Sequence, residues 1–198
     1  MTDGGQQAAL LGAYSDLIRE YHATLDLVSP AALARWDDLL ADALLYGSVI
    51  GELGAGDGSI LDLGSGAGLP GIPLAITRPA SRVLLVERRR RRTAFLQLAV
   101  SQLGLTNAEA AGTDVRDLTE GGFAVVTAQA VGSFASVHAL SRHLHAPGVI
   151  LAGSKGSGWE AEAAELEESA GARVAATAVK ARQDGSGFVV GLRLEKGS

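Results

Sequence analysis

Asp62, Gly64, Ser65, Gly66, Gly68, Leu69, Glu87 and Asp114 are residues whose types and spacing can do chemistry. Ile60-Leu61-Asp62-Leu63 is a short apolar run carrying an acid, and Gly64-Ser65-Gly66-Ala67-Gly68-Leu69-Pro70-Gly71 follows at once. Glycines at 64, 66 and 68 suit a chain that leaves a strand, turns sharply and brings bare backbone against a ligand. Val83-Leu84-Leu85-Val86-Glu87 is a second apolar strand, ending in a carboxylate. A glycine turn followed by an acid at about 20 residues is how a Rossmann-like sheet holds an adenosine, with the carboxylate on the ribose hydroxyls. The dinucleotide spacing is G-x-G-x-x-G. Here the glycines run Gly64-x-Gly66-x-Gly68 and Leu69 takes the sixth position, which suits a ligand without a pyrophosphate. Asp62, Glu87 and Asp114 belong to the ends of three successive expected strands. Three such points along one rim fit the amino group, ribose hydroxyls and adenine amine of S-adenosylmethionine. Glu87 would repel a 2′-phosphate, which disfavours NADP.

Other polar groups carry two readings each. Arg88 to Arg92 are five consecutive arginines at a helix start. Cations there oppose the helix dipole by about 0.3–1 kcal/mol each. An anionic partner, whether substrate phosphate, RNA backbone or neighbouring acids, is one reading; a solvated first turn is the other. His138, His143, Asp37 and Gln129 are candidates for a base or an orienting group. For His138, His143 and His145, on an apolar-patterned stretch, packing or surface roles are the favoured reading. Lys155 ends an expected strand at the same rim as the acids. The chain has no cysteine, which excludes disulfides, thiolate metal sites and thiol catalysis. No metal is expected.

The elements that must position these groups follow from periodicity. Leu10, Tyr14, Leu17, Ile18 and Tyr21 predict a helix over 8–22. Ser29-Pro30 starts a second helix, with Leu33, Trp36, Leu40 and Leu44 as its apolar stripe. From Ser59 strand and helix alternate, with strands at about 60–63, 83–87, 108–112, 123–127 and 149–152. Pro147-Gly148 is read as a turn. An acidic helix covers 159–170, and two strands near 173–179 and 187–194 close the chain as an antiparallel hairpin. Alternation of this kind means a parallel sheet covered on both faces. Residues 1–50 are expected to form a helical extension or cap, and 51–198 the ligand-binding domain. The net charge of −5 argues mildly against a broad nucleic-acid surface, though not against a local basic patch. The N-terminus lacks the basic start and apolar core of a signal peptide, and no apolar run is long enough to span a membrane. A cytoplasmic protein is expected, with no membrane partner, acting as a monomer or weak dimer.

Asp62-Leu-Gly-Ser-Gly-Ala-Gly-Leu-Pro-Gly-Ile-Pro-Leu, with Arg92, Phe95-Leu96 and Leu103 beyond, resembles the bacterial glucose-inhibited division protein B family. The likeness runs through about residues 60–156, including Pro147-Gly148 and Lys155-Gly156. The resemblance implies a Rossmann-like class I methyltransferase: a mostly parallel seven-stranded sheet, helices on both faces, and a helical N-terminal extension. It implies transfer of a methyl group from S-adenosylmethionine to N7 of a guanine in small-subunit ribosomal RNA. It places cofactor contacts on Gly64, Leu69, Asp114, Val115 and Gln129; Arg88 and Thr113, the sequence neighbours of Glu87 and Asp114, are counted with them. It puts Gln129 and Lys155 nearest the reaction, and Arg35, Trp36, Asp37 and Lys155 towards the substrate; His138, a candidate base or orienting group from its chemistry alone, is counted with them. The departures fall on the substrate half. Thr113 and Gln129 stand where the family carries arginines. Leu25-Asp26-Leu27-Val28 and Arg35-Trp36-Asp37-Asp38 replace its Asn-Leu-Thr and His/Asp-Ser segments. Glutamine can exchange hydrogen bonds but cannot offset an anion. Three readings therefore stand: a ribosomal RNA guanine-N7 methyltransferase, a relative that methylates a small molecule, or another use of bound S-adenosylmethionine.

Overall fold

The computed structural model describes residues 3–129 and 131–195. Ala130, which the resemblance sets beside Gln129, lies outside them.

Three helices come first: α1 (Asp3–Leu25), α2 (Pro30–Ala34) and α3 (Trp36–Glu52). Ser29 caps α2, its hydroxyl accepting from the Ala32 N–H, and Pro30 sits just inside. The single helix expected from Leu33 to Leu44 is broken at Arg35, whose φ of −115° and ψ of 24° leave helical geometry. The break lets Trp36 turn inward while Arg35 points to solvent.

The sheet then builds as β1 (Ile60–Leu63), α4 (Gly71–Thr77), β2 (Val83–Val86), α5 (Arg90–Gln102) and β3 (Ala108–Ala111). It continues as β4 (Phe123–Ala128), α6 (Phe134–Ser141), β5 (His145–Lys155), α7 (Trp159–Ala170), β6 (Val174–Ala181) and β7 (Phe188–Leu194). Its seven strands lie in the order β3-β2-β1-β4-β5-β7-β6. β1 pairs in parallel with both β2 and β4, while β7 runs antiparallel between β5 and β6. The closing hairpin is therefore as expected. The turn expected at Pro147-Gly148 is not one. β5 runs through it, with His145 opposite Phe123 before a register shift resets Ile150 opposite Val125. A bulge accommodates a proline that has no N–H to give the ladder, and Gly148 takes φ +78° there.

Alternate strand residues feed two cores. Ile60, Val83, Leu85, Val125 and Ile150 face α1, α3, α4 and α5, whereas Leu61, Leu84, Val126 and Leu151 face α6 and α7. Both faces of the central strands are buried, as a parallel sheet requires. The N-terminal helices belong to the first of these cores, through Tyr14, Ile18, Trp36, Tyr46 and Val49. The chain steps from β1 out to β3 and then crosses back to β4. This reversal opens a crevice at the carboxyl ends of β1 and β4, where open α/β sheets bind ligands. Among the described residues, no helix is long and apolar enough to cross a membrane.

Candidate active site

The glycine loop leaves β1 with Gly64, Gly66 and Gly68 at φ +65°, +56° and +104°. L side chains rarely adopt such values. A Cβ on Gly68 would also come within 2.7 Å of Ile72 and 3.1 Å of the Tyr14 hydroxyl. The loop is held from every side. Ser65 Oγ donates to the Asp62 carbonyl (2.9 Å), and the Ser65 N–H donates to the Val86 carbonyl (3.1 Å). Tyr14 Oη donates to the Ala67 carbonyl at 2.9 Å.

Behind the loop lies Asp62, fully buried, with Oδ1 accepting a 2.6 Å bond from Thr127 Oγ1. A Cβ on Gly71 would come within 2.7 Å of its Oδ2, so only glycine packs there. Burial pushes this carboxyl up to about 6, against the opposing pull of the Thr127 bond.

Glu87 follows β2 and joins the loop to the next helix. Its Oε2 accepts the Gly66 N–H at 3.2 Å, and its Oε1 the Arg89 N–H at 2.8 Å. Each oxygen keeps a further lone pair, which is what a ribose diol needs. Asp114 follows β3. Its Oδ1 accepts from Arg116 N–H (3.0 Å) and Nε (2.9 Å). Its Oδ2 accepts from Arg116 Nη2 (2.8 Å) and Arg88 Nη1 (3.3 Å). The Arg116 bonds hold this carboxyl well below the usual carboxylate range.

These groups enclose a hollow of about 550 Å³ at the carboxyl ends of the central strands. Of the residues expected around a cofactor, Gly64, Glu87, Arg88, Thr113, Asp114, Val115 and Gln129 line it together. Asp62, Ser65, Gly66, Gly68 and Leu69 do not line it. They form or brace the loop from the protein side. Arg89, Arg92, Arg116, Val131 and Leu140 line the hollow without having been singled out for it. Arg116 carried a local signal, since an arginine two residues beyond a capping acid can fold back on it. Val131 and Leu140 carried none. Arg88 to Arg91 are exposed, and Arg92 reaches back to the Asp26 carbonyl through Nε (3.2 Å) and Nη2 (3.0 Å). Six arginines, 88 to 92 and 116, thus stand in or beside one rim of a net acidic chain.

The substrate-side candidates are elsewhere. Trp36 is 2% exposed; its Nε1 donates to Ser15 Oγ at 2.9 Å and its ring meets Tyr14 edge-on at 5.5 Å. Arg35 pairs with Asp184 on the β6–β7 turn, and Asp37 faces Arg19 at 3.5 Å. These three line a separate hollow of about 380 Å³. His138 lies against His145, with ring centroids 5.3 Å apart, in a second 550 Å³ hollow at the amino end of β5. That hollow equals the first in size, but it has neither the loop nor the acids and sits away from the topological switch point. Lys155 is buried. Its Nζ donates to the Gly132 carbonyl and to Glu162 Oε2, both at 2.7 Å, and lies 4.5 Å from the Phe134 ring centre. No cluster of three or more metal-ligating side chains occurs among the described residues.

The residues present fit S-adenosylmethionine. A hollow of this size suits a nucleoside-sized ligand. The carboxylate with free lone pairs lies beside bare backbone, and no helix N-terminus with a pyrophosphate cradle is required. Fold and site together define a Rossmann-like domain with a hollow at the topological switch point of its sheet. The chain belongs to the family described as rRNA small subunit methyltransferase G, whose model matches residues 7–186.

Two relatives carrying that name are 34% identical over 168 residues (Kineococcus radiotolerans) and 35% identical over 173 residues (Cupriavidus metallidurans). They are covered over 65% and 72% of their length, for 83% and 81% of this chain. A third, from Stenotrophomonas maltophilia, is 44% identical over 111 residues, which is 56% of this chain and 52% of that protein. The matches therefore span between about half and three quarters of these relatives' length. Among solved structures, M. jannaschii TYW2 in complex with AdoMet superposes with a TM-score of 0.60 at 16% identity, covering 71% of this chain and 70% of that one. A SAM-dependent methyltransferase from Aquifex aeolicus gives 0.60 at 18% identity, covering 87% and 96%. These likenesses bear on the fold, which is the expected one.

Proposed function

We propose that this protein transfers the methyl group of S-adenosylmethionine to small-subunit ribosomal RNA. The observation that carries the reading is the hollow formed by Gly64, Glu87 and Asp114, opened towards a rim of six arginines on a chain of net charge −5. A local cationic rim on an acidic body steers a polyanion to one edge without a broad non-specific surface. Family membership points the same way, and the curated relatives bear the same name. Guanine N7 carries a free lone pair, so attack on the sulfonium methyl needs no general base. The protein's contribution is then alignment of acceptor, methyl and sulfur, which can supply several kcal/mol. In this reading Glu87 takes the ribose and Asp114 with Val115 the adenine. Gln129 and Val131, beyond β4, border the methyl end.

One observation favours a second reading. Thr113 and Gln129 line the hollow at the two positions where the family resemblance sets arginines. A neutral lining there suits a small acceptor better than a phosphate backbone. Incubation with labelled cofactor and, in parallel, 30S subunits, naked ribosomal RNA and a small-molecule extract separates the two. Label in the RNA supports the first reading. Label confined to a small molecule supports the second.

A further inference from the structure

Lys155 is a cation in a place where cations are costly. Its side chain is only 8% exposed at the end of β5, and burying an ammonium costs several kcal/mol unless it is paired and hydrogen-bonded. Glu162 on α7 supplies the opposite charge at 2.7 Å, and Phe134 at the start of α6 offers its ring face. The third partner is a main-chain atom, the Gly132 carbonyl. Gly132 has φ +129°, so it is a backbone position with few restraints of its own. On one side of it Ser133 caps α6 by accepting the Ser136 N–H. On the other side Val131 lies against Gly64, and Gln129 lines the cofactor hollow.

The strand order gives this loop its place. In the proposed reading the adenosine lies over β2 and β3 and the glycine turn is over β1, so the rest of the cofactor extends towards β4, beyond which Gln129 and Val131 to Ser133 stand. Lys155 does not line that hollow. It reaches the loop from the far side, through one carbonyl.

We infer that the Lys155–Glu162 pair is a positioning device. It pins Gly132 and thereby sets where Gln129 and Val131 stand at the methyl end. Lys155 is then not a group that meets the acceptor, and Glu162, on an otherwise solvated acidic helix, is a positioning residue of the site. The inference rests on the methyl-transfer reading for its consequence in turnover. The pairing itself can be tested without it.

The two roles of Lys155 predict opposite behaviour of its partner. If Lys155 touched the acceptor directly, Glu162→Ala would free it and leave turnover unchanged or higher. If the pair acts through Gly132, Glu162→Ala and Lys155→Met each lower turnover about tenfold or more, because small displacements at a reacting centre are amplified. The double variant then falls within about threefold of Lys155→Met alone, since residues in one network are not additive. Two further readouts accompany turnover on the wild type and the three variants: S-adenosylmethionine affinity by calorimetry and amide hydrogen exchange over residues 131–134. Expected are cofactor affinity within a few-fold of wild type, a melting temperature lowered most in Glu162→Ala, which leaves the Lys155 charge without its partner, in proteins still folded at the assay temperature, and faster exchange at residues 131–134 in both single variants. Exchange in Glu162→Ala that matches wild type would overturn the inference, whatever the acceptor proves to be. So would a Glu162→Ala protein with full turnover beside an inactive Lys155→Met. A wild-type chain that binds no S-adenosylmethionine would contradict the functional reading instead, and the exchange data would still decide the pairing.

Discussion

The Tyr14 hydroxyl donates to the Ala67 carbonyl at 2.9 Å, joining the first helix to the middle of the glycine loop across 53 residues of sequence. Tyr14 is fully buried, and Trp36 packs on it edge-to-face. The N-terminal helices are therefore part of what shapes the glycine loop. Tyr14→Phe keeps the packing and removes one donor, leaving a buried carbonyl without that partner at a cost of about 1–3 kcal/mol. We expect a lower melting temperature together with a cofactor Kd raised about fivefold, the equivalent of about 1 kcal/mol. Calorimetric titration with S-adenosylmethionine checks this. An unchanged Kd would assign the bond to stability alone.

Glu87 ties Gly66 to Arg89 with its two oxygens and keeps lone pairs for a ribose. Glu87→Gln leaves one acceptor oxygen and turns an amide donor towards a backbone N–H. Cofactor affinity is expected to fall about tenfold or more, since bonds to a charged acceptor contribute about 1.5–3 kcal/mol each. Titration of the variant provides the measurement, and wild-type affinity would remove the ribose assignment.

Much of this was legible in the sequence. The strands announce themselves as apolar runs, and glycines at 64, 66 and 68 sit where only a turn with positive φ uses them. Glu87 and Asp114 follow the carboxyl ends of β2 and β3, which face the crevice in a parallel sheet, and both line the hollow there. What was not legible depends on distance in sequence. Nothing near Tyr14 announces Ala67, and nothing near Lys155 announces Gly132 or Glu162, because the tertiary fold supplies those partners. The break at Arg35 leaves no mark in the sequence, because the apolar stripe runs through it. Trp36, which looked like a substrate contact from its place in the chain, spends its indole N–H on Ser15 inside the core.

Gln129 offers a direct test of the acceptor class. It lines the hollow without carrying charge. If ribosomal RNA is the acceptor, Gln129→Arg adds a bidentate cation beside the phosphates and should raise methylation of 30S subunits about three- to tenfold at low salt. If the acceptor is small, the larger charged side chain obstructs it and turnover falls. Initial rates with both substrates distinguish the outcomes.

Stability should depend on pH through two groups of opposite sign. Burial raises the Asp62 carboxyl from 3.8 to about 6, so the folded chain holds this proton more tightly than the unfolded one. Its contribution is full below 3.8 and is lost as pH rises through about 6. Asp62→Asn should therefore be more stable than wild type at pH 8, by an amount on the order of 2 kcal/mol that vanishes towards pH 4. His145 behaves in reverse. Burial, with His138 and His143 nearby, lowers it from 6.5 to about 4, so its contribution is present above 6.5 and lost as pH falls towards 4. His145→Gln should flatten that acid-side loss. Denaturant melts of both variants and the wild type between pH 4 and 8 check the two slopes. Parallel curves would contradict the assignment.

In the proposed function the Gly64–Glu87–Asp114 hollow presents a methyl donor to ribosomal RNA at the arginine rim. Its most direct test is incubation of the purified protein with methyl-labelled S-adenosylmethionine and 30S subunits lacking this modification, followed by nucleoside analysis of the RNA. Label is expected in a single guanine product of the small-subunit RNA, lost in Glu87→Gln and reduced when Arg88 to Arg91 are replaced by glutamine. Tight cofactor binding with no label in 30S subunits or naked ribosomal RNA, and label in a small molecule instead, would contradict it.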